Sequence, residues 1–245
     1  MKAVILAAGR GTRLRPYSHI LPKPLMPIEK TPDGALKTIL EKLIEQLLRA
    51  RIDDIIIAVN YKADLICEFI QDGEWLGAKV SYVYQGTLDG NAGAFYRAQQ
   101  LLGHADVLIT DCDNYFTDND IFSDLRERHE AGDAMLTVGV CPVDDVRKFA
   151  IIKTDEAGRP VDIYEKPADP AEWGHLAKSG MMILKSSLAK LDRGIAETDD
   201  GEYTTTRIIK TCLDEGSLVD LFPIEDGFRD IGTWAEYLPL LKSNL

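Results

Sequence analysis

The opening run MKAVILAAGRGTRLRPYSHILPKPLMPI, residues 1–28, decides the fold. Its first part is a short apolar segment without polar alternation, the pattern of a strand buried on both faces of a parallel sheet, and a strand is expected over residues 2–7. That strand leads directly into Ala8-Gly9-Arg10-Gly11-Thr12-Arg13, where glycines let backbone N–H groups come close to a phosphate. A dinucleotide fingerprint needs a third glycine at position 14, which is Leu14, and a helix straight after the loop. Instead the chain runs through Pro16, Pro22, Pro24, Pro27 and Pro32. A P-loop needs Gly-Lys-Ser/Thr, and no lysine precedes Thr12. The segment therefore reads as a glycine turn feeding an extended, proline-stiffened arm that carries Arg13, Arg15 and Lys23, suited to wrap a triphosphate.

Outward from this run, short apolar stretches alternate with helical patterns, the sequence form of βαβ units. Strands are expected near 54–59, 79–84 and 106–111, with helices over 35–50, 63–70 and 92–102. From residue 133 the rhythm changes. Strand-like AMLTVGVC, FAIIKT and VDIYEK follow with only short connections, then MMILK, a helix over 201–216, the strand LVDLFPI and a closing helix over 233–245. We expect an α/β protein: a Rossmann-like three-layer α/β/α sandwich with a mixed, mostly parallel sheet. Residues 1–245 are expected to form a single domain, its two halves, about 1–132 and about 133–245, differing in this rhythm.

The chain has 245 residues, 45% of them hydrophobic, and 28 Lys and Arg against 40 Asp and Glu, a net charge of −12. An acidic chain of this kind argues against a nucleic-acid or anionic-membrane binder, because phosphate backbones want a basic face. Residues 1–28 hold five basic and no acidic residues, so an anion site is localised in an otherwise acidic molecule. No apolar run spans a bilayer, and the opening segment is interrupted by Arg10 too early for a secretory signal, so a cytoplasmic location is expected. Cys67, Cys112, Cys141 and Cys212 form no C-x-x-C pair, and the four histidines show no metal-ligand spacing.

LAAGRGTRLRP (6–16) followed by PKPLMPI (22–28) resembles the opening signature of the sugar-1-phosphate nucleotidylyltransferases. Further hallmarks stand in order: Gln85 and Gly90, GNAGA (90–94), DCDN (111–114), EKP (165–167), GE (201–202) and DIGT (230–233). The resemblance implies transfer of a nucleoside monophosphate from a nucleoside triphosphate, dTTP or UTP, to a sugar-1-phosphate with release of pyrophosphate. It implies Ala8, Gly9, Gly11, Thr12 and Arg13 around the triphosphate, Gln85 and Gly90 at the base, and Arg13, Lys23 and Lys166 as the catalytic cations. Asp113 and Asp230 are then the ligands of a catalytic Mg²⁺, and Glu165, Gly180 and Glu202 line the sugar. As bare residues these suit phosphoryl chemistry: fixed donors and cations on oxygens where charge is spread, and a pair of carboxylates for a hard cation.

The expected partners are a nucleoside triphosphate and a sugar-1-phosphate, with no nucleic acid and no membrane; a homo-oligomer stays open. Arg15, Asp111 and Cys112 take no role from the sequence. Cys112, Ala150 and Tyr164 depart from the family's usual residues at the base and sugar walls, which leaves the substrate open. Two alternatives stand beside this reading: a phosphocholine-type cytidylyltransferase of the same fold, suggested by DCDNY, and a catalytically silent regulatory homologue. The chain ends directly after its closing helix, so the C-terminal β-helix of larger relatives, with its acyltransferase activity, is not expected.

Overall fold

A computed structural model describes residues 1–188, 198, 201–225 and 227–244. The elements run β1 (Lys2–Ala7), β2 (Pro27–Lys30), β3 (Leu36–Thr38), α1 (Ile39–Arg49), β4 (Asp54–Val59), α2 (Ala63–Ile70), β5 (Lys79–Tyr84), α3 (Asn91–Leu102), β6 (Val107–Asp111), β7 (Asn114–Phe116) and α4 (Ile121–Ala131). They continue as β8 (Leu136–Pro142), β9 (Ala150–Thr154), β10 (Pro160–Glu165), α5 (Pro170–Trp173), β11 (Leu176–Leu184), α6 (Thr205–Asp214), β12 (Val219–Pro223), β13 (Phe228–Asp230) and α7 (Trp234–Asn244).

Nine strands form one mixed sheet in the order β10-β9-β11-β6-β1-β4-β5, with β8 also paired to β11 and β12 beyond it. β6, β1, β4 and β5 are mutually parallel, whereas β11 runs antiparallel to both β6 and β8. Strands from both halves of the chain therefore share the sheet. Alternation along the strands sorts side chains to its two faces. Ala3, Ile5, Ile55 and Ile57 pack with α1, α2, α4 and α7 on one side. Val4, Leu6, Ile56 and Ala58 pack with α3 and α6 on the other. The central strands β1, β4 and β6 carry apolar residues almost continuously because both faces are covered, and the architecture is the expected three-layer sandwich.

Three sequence expectations are corrected. The helix expected from residue 35 begins at Ile39, because Leu36–Thr38 pair antiparallel with Pro27–Lys30 and Thr38 caps the helix. The Glu41 N–H donates to Thr38 Oγ1 at 3.2 Å while the Thr38 N–H donates to Glu41 Oε2 at 2.7 Å, a reciprocal capping box. We expect Thr38→Ala to cost about 1 kcal/mol in urea unfolding and Thr38→Ser to cost far less; equal losses would discount the cap. The strand expected at 181–185 is the second half of β11, whose polar start at Lys178-Ser179-Gly180 hides its length. The arm after the glycine turn is not extended but folded into 3-10 turns at Thr12–Leu14, Tyr17–His19 and Lys23–Leu25.

The closing helix α7 clamps that arm against the body. Trp234 Nε1 donates to the Arg15 carbonyl at 3.1 Å, and the Tyr237 hydroxyl donates to the Pro27 carbonyl at 2.7 Å. Among the described residues no helix is long and apolar enough to cross a membrane.

Candidate active site

Strand order decides where ligands sit. From β1 the chain goes to β4 and β5 on one side and returns to β6 on the other, so the carboxyl ends of β1 and β6 flank a crevice at the switch point. The end of β1 delivers the glycine turn. Gly11 adopts φ +57°, which a side chain disfavours, and a Cβ there would touch Lys23 at 3.4 Å. The Leu14 N–H donates to the Gly11 carbonyl at 3.0 Å, and the fully buried Leu14 anchors the turn. Arg13 then projects toward the loop after β13, where a Cβ on Gly232 would stand 2.7 Å from a guanidinium nitrogen.

Lys23 is only 8% exposed because Pro24, Leu25 and Met26 sink into the core and take its backbone with them. Its ammonium pairs with the Asp113 carboxylate, which follows the end of β6. Burial alone would lower the Lys23 pKa, but the Asp113 and Asp230 carboxylates outweigh it and hold the group above its ordinary value as a cation. Asp113 is half-buried, which would raise its pKa, yet Lys23, with Arg13 further off, holds it below the usual carboxylate range.

Asp230 reaches this point through a two-stranded ribbon, in which β13 pairs antiparallel with β7 so that Asp230 lies opposite Asn114, and the Ile231 N–H donates to the Asp113 carbonyl at 2.9 Å. Burial, and then repulsion from Asp113, push Asp230 up to about 6. Its Oδ1 is buried without a protein partner. Asp111 is also raised to about 6, by burial first, against the lowering effect of Lys178. Cys112, between the two aspartates, is buried and its thiol is pushed up, so it stays neutral.

Two cavities meet here. The first, about 470 Å³, is lined by Ala8, Gly9, Gly11, Thr12, Arg13, Lys23, Gln85 and Gly90, together with the N-terminus of α3 at Asn91. A helix start carries the positive end of the dipole, which suits a phosphate, and here the Ala92 N–H is already donated to the Tyr203 carbonyl at 3.0 Å. The second, about 290 Å³, is lined by Glu165, Gly180, Glu202 and Asp230. Gly90, Asn91, Asp111 and Asp113 line both. A side chain at Gly180, which adopts φ +79°, would stand 2.6 Å from Asp111 Oδ2, so only glycine leaves the second cavity open to the aspartates.

Gln85 Nε2 donates to the Gly90 carbonyl at 2.8 Å and to Asp89 Oδ1 at 3.0 Å, bracing the loop before α3. Glu165 Oε2 accepts from the Thr206 hydroxyl at 2.7 Å. Lys166 is not brought in with the others. It follows β10, exposed, with φ +51° and its N–H donating to the Phe149 carbonyl at 2.9 Å, and it lines neither cavity. Lysines that do line the second cavity are Lys148 and Lys178, which sequence reasoning passed over. So were Asn114 and Ser179, whose Nδ2 and Oγ are buried without partners beside the same cavity. Only Lys178 left a trace in the sequence, as a charge interrupting an apolar run.

The family described as nucleotidyl transferase matches residues 2–244. The chain belongs to the nucleotidyl transferase family. Among similar proteins, the low-salt glycan biosynthesis nucleotidyltransferase Agl11 of Haloferax volcanii is 30% identical over 95% of this chain and 62% of its own length. The UTP–glucose-1-phosphate uridylyltransferase AglF of the same organism is 28% identical over 95% of this chain and 91% of its own. A glucose-1-phosphate thymidylyltransferase of Streptomyces antibioticus is 29% identical over the whole chain and 66% of its own length. The chain thus spans about three fifths of Agl11 and nine tenths of AglF. Its fold superposes on a UDP-glucose pyrophosphorylase solved with UDP-glucose at a TM-score of 0.82 and 17% identity, covering 99% of this chain and 97% of that one. In this chain the glycine turn, Lys23, Asp113 and Asp230 converge on one crevice, and Lys166 stands apart from it.

Proposed function

We propose that the protein transfers a nucleotidyl group from a nucleoside triphosphate, dTTP or UTP, to a sugar-1-phosphate in a Mg²⁺-dependent reaction that releases pyrophosphate. The observation that carries this reading is the junction of the two cavities at Asp111 and Asp113, with a glycine turn and two cations on one side and a polar, acid-lined chamber on the other. A triphosphate in the first cavity would lay its β- and γ-phosphates against the turn, Arg13 and Lys23, and its α-phosphate at the junction. An acceptor in the second cavity would present its phosphate to the same point. An acceptor oxygen attacks the α-phosphorus, the bond from the α-phosphorus to the bridging oxygen breaks, and pyrophosphate leaves with the electron pair. The acceptor's second pKa near 6 leaves it mostly dianionic at neutral pH, so no general base is needed. The protein's task is alignment and charge neutralisation.

The residues fit a magnesium ion. Asp230 keeps a buried, unpartnered oxygen beside Asp113, and among the described residues no cluster of three or more His, Cys, Asp or Glu gathers for a metal. Two carboxylates with phosphate oxygens and water are what Mg²⁺ takes, and when bound it would neutralise charge on those phosphates. Asp113 and Asp230 would hold it, while Arg13 and Lys23 hold the leaving group.

The test is pyrophosphate release with Mg²⁺, scanning the common nucleoside triphosphates against sugar-1-phosphates and phosphocholine. Turnover with dTTP or UTP and a sugar-1-phosphate is the expected result. Turnover only with CTP and phosphocholine would replace the acceptor, and silence in folded protein would reject the transferase.

A further inference from the structure

Resting on the reading that the first cavity takes a nucleoside triphosphate, we infer that Arg10, Arg15 and Lys62 form a cationic collar that draws the nucleotide in from solution at long range. A molecule of net charge −12 repels a triphosphate, so fast capture needs positive charge concentrated at the cavity mouth. The opening segment supplies five cations, and the fold gives them different places. Lys2 stands at the far end of β1, 3.1 Å from Asp54, while Lys23 is committed to Asp113 and Arg13 lines the cavity. Arg10 and Arg15 remain. Both are exposed, line neither cavity of the crevice and make no ion pair with any described residue.

Arg10 sits between Gly9 and Gly11, which both line the cavity, and the Arg15 carbonyl accepts from Trp234 Nε1 at 3.1 Å. Lys62 joins them from the turn between β4 and α2. The Tyr61 N–H donates at 3.5 Å to the carbonyl of Ala8, itself a lining residue, and the Tyr61 hydroxyl donates to the Ser18 carbonyl at 3.1 Å, so this turn lies on the glycine loop and the arm. Asn60 Nδ2 donates to the Gly86 carbonyl at 2.6 Å, tying the same turn to the loop that leads to Gly90. Lys62 adopts φ +52°, which a side chain disfavours, and its ammonium stands 5.7 Å from the Tyr61 ring centroid, again without an ion pair to a described residue. Elsewhere the acid-rich surface neutralises arginines such as Arg128 and Arg159, which meet carboxylates at 2.6 and 2.7 Å. At this mouth three cations from two adjoining loops are left unneutralised, and their fields add where the phosphates enter.

The experiment follows association of mant-labelled UTP and dTTP, with Mg²⁺, by stopped-flow fluorescence. It compares wild type, a triple variant combining Arg10→Gln, Arg15→Gln and Lys62→Gln, and a charge-keeping double variant combining Arg10→Lys and Arg15→Lys. Ionic strengths of about 0.01 M and about 1 M let charges act over about 30 Å and about 3 Å. The triple variant is expected to associate about tenfold more slowly at low salt and within about twofold of wild type at high salt, with dissociation within about twofold throughout. The charge-keeping variant should retain the wild-type rate, since steering needs charge and not the guanidinium fork. Faster dissociation from the triple variant at an unchanged association rate overturns the inference by making these residues direct contacts. A loss that persists at high salt, or an association rate that the triple substitution leaves unchanged, overturns it as well. Failure of folded wild type to bind either triphosphate removes the transferase reading and the collar together, whereas salt-sensitive capture without turnover on any acceptor rejects the transferase and supports the collar.

Discussion

Asp113→Asn is expected to abolish turnover, lowering kcat by about a thousandfold, and to destabilise the protein by about 3 kcal/mol. The first effect follows from removing a charge at the cavity junction, where several kcal/mol of charge stabilisation is at stake. The second is not visible from residue type alone, because asparagine is nearly isosteric with aspartate. Its cause is Lys23, buried and paired with Asp113. Removing one partner leaves an ammonium with less compensation in a site that disfavours charge. The signs agree for both partners. Asp113, held below its ordinary pKa, contributes stability above about pH 4 that is lost as pH falls through its folded value. Lys23, held above its ordinary 10.5, contributes stability that persists until pH rises through its folded value. The pair is therefore intact throughout the neutral range. Urea unfolding at pH 7.5 of Asp113→Asn, Lys23→Met and the double variant checks this: the double should lose less than the two singles added together. Additive losses would mean that the two groups are independent and that the argument fails.

The local half of this site is legible in the chain and the long-range half is not. The strand at 54–59 and the buried opening strand were readable because burial on both faces leaves an apolar run with no alternation, whereas the edge strand at 79–84 showed as Val80, Tyr82, Val83 and Tyr84 interrupted by Ser81. The glycine turn was readable because its chemistry lies in consecutive residues. Helix α4 was missed: it buries Ile121, Phe122, Leu125 and His129 on one stripe and is otherwise largely polar, so its apolar period is weak. The meeting of Asp113 with Asp230 depends on the ribbon of Asn114–Phe116 with Phe228–Asp230, three-residue strands too short to carry a pattern. Those carboxylates came into view through resemblance to a family, and resemblance also nominated Lys166. It could not nominate Lys178, since no motif quoted for the family includes that position. Lys178 becomes visible only when β11 is laid against β6, bringing Gly180 up to Asp111.

Asp230→Asn should match Asp113→Asn in lost activity and differ from it in stability, gaining about 1–2 kcal/mol at pH 7.5 where the other variant loses. Burial and the neighbouring Asp113 raise Asp230 to about 6, so the folded protein holds this proton more tightly than the unfolded chain does. Stability from that group is fully present below about pH 4 and is lost as pH rises through about 6, so at pH 7.5 the ionised carboxylate opposes folding. Its unpartnered Oδ1 adds the cost of a buried acceptor with nothing to accept. An uncharged amide relieves the repulsion and leaves the Lys23–Asp113 pair in place. The gain should shrink toward zero at pH 4.5, where the wild-type group is already protonated. With Mg²⁺ and a nucleoside triphosphate present, wild type should be stabilised by binding and the variant much less. Thermal unfolding at both pH values, with and without those ligands, separates the outcomes: a variant less stable than wild type at pH 7.5 would show that Asp230 supports the fold. A variant that is more stable and inactive would show a carboxylate held in the crevice at the expense of stability, as expected where a cation and phosphates complete the charge balance.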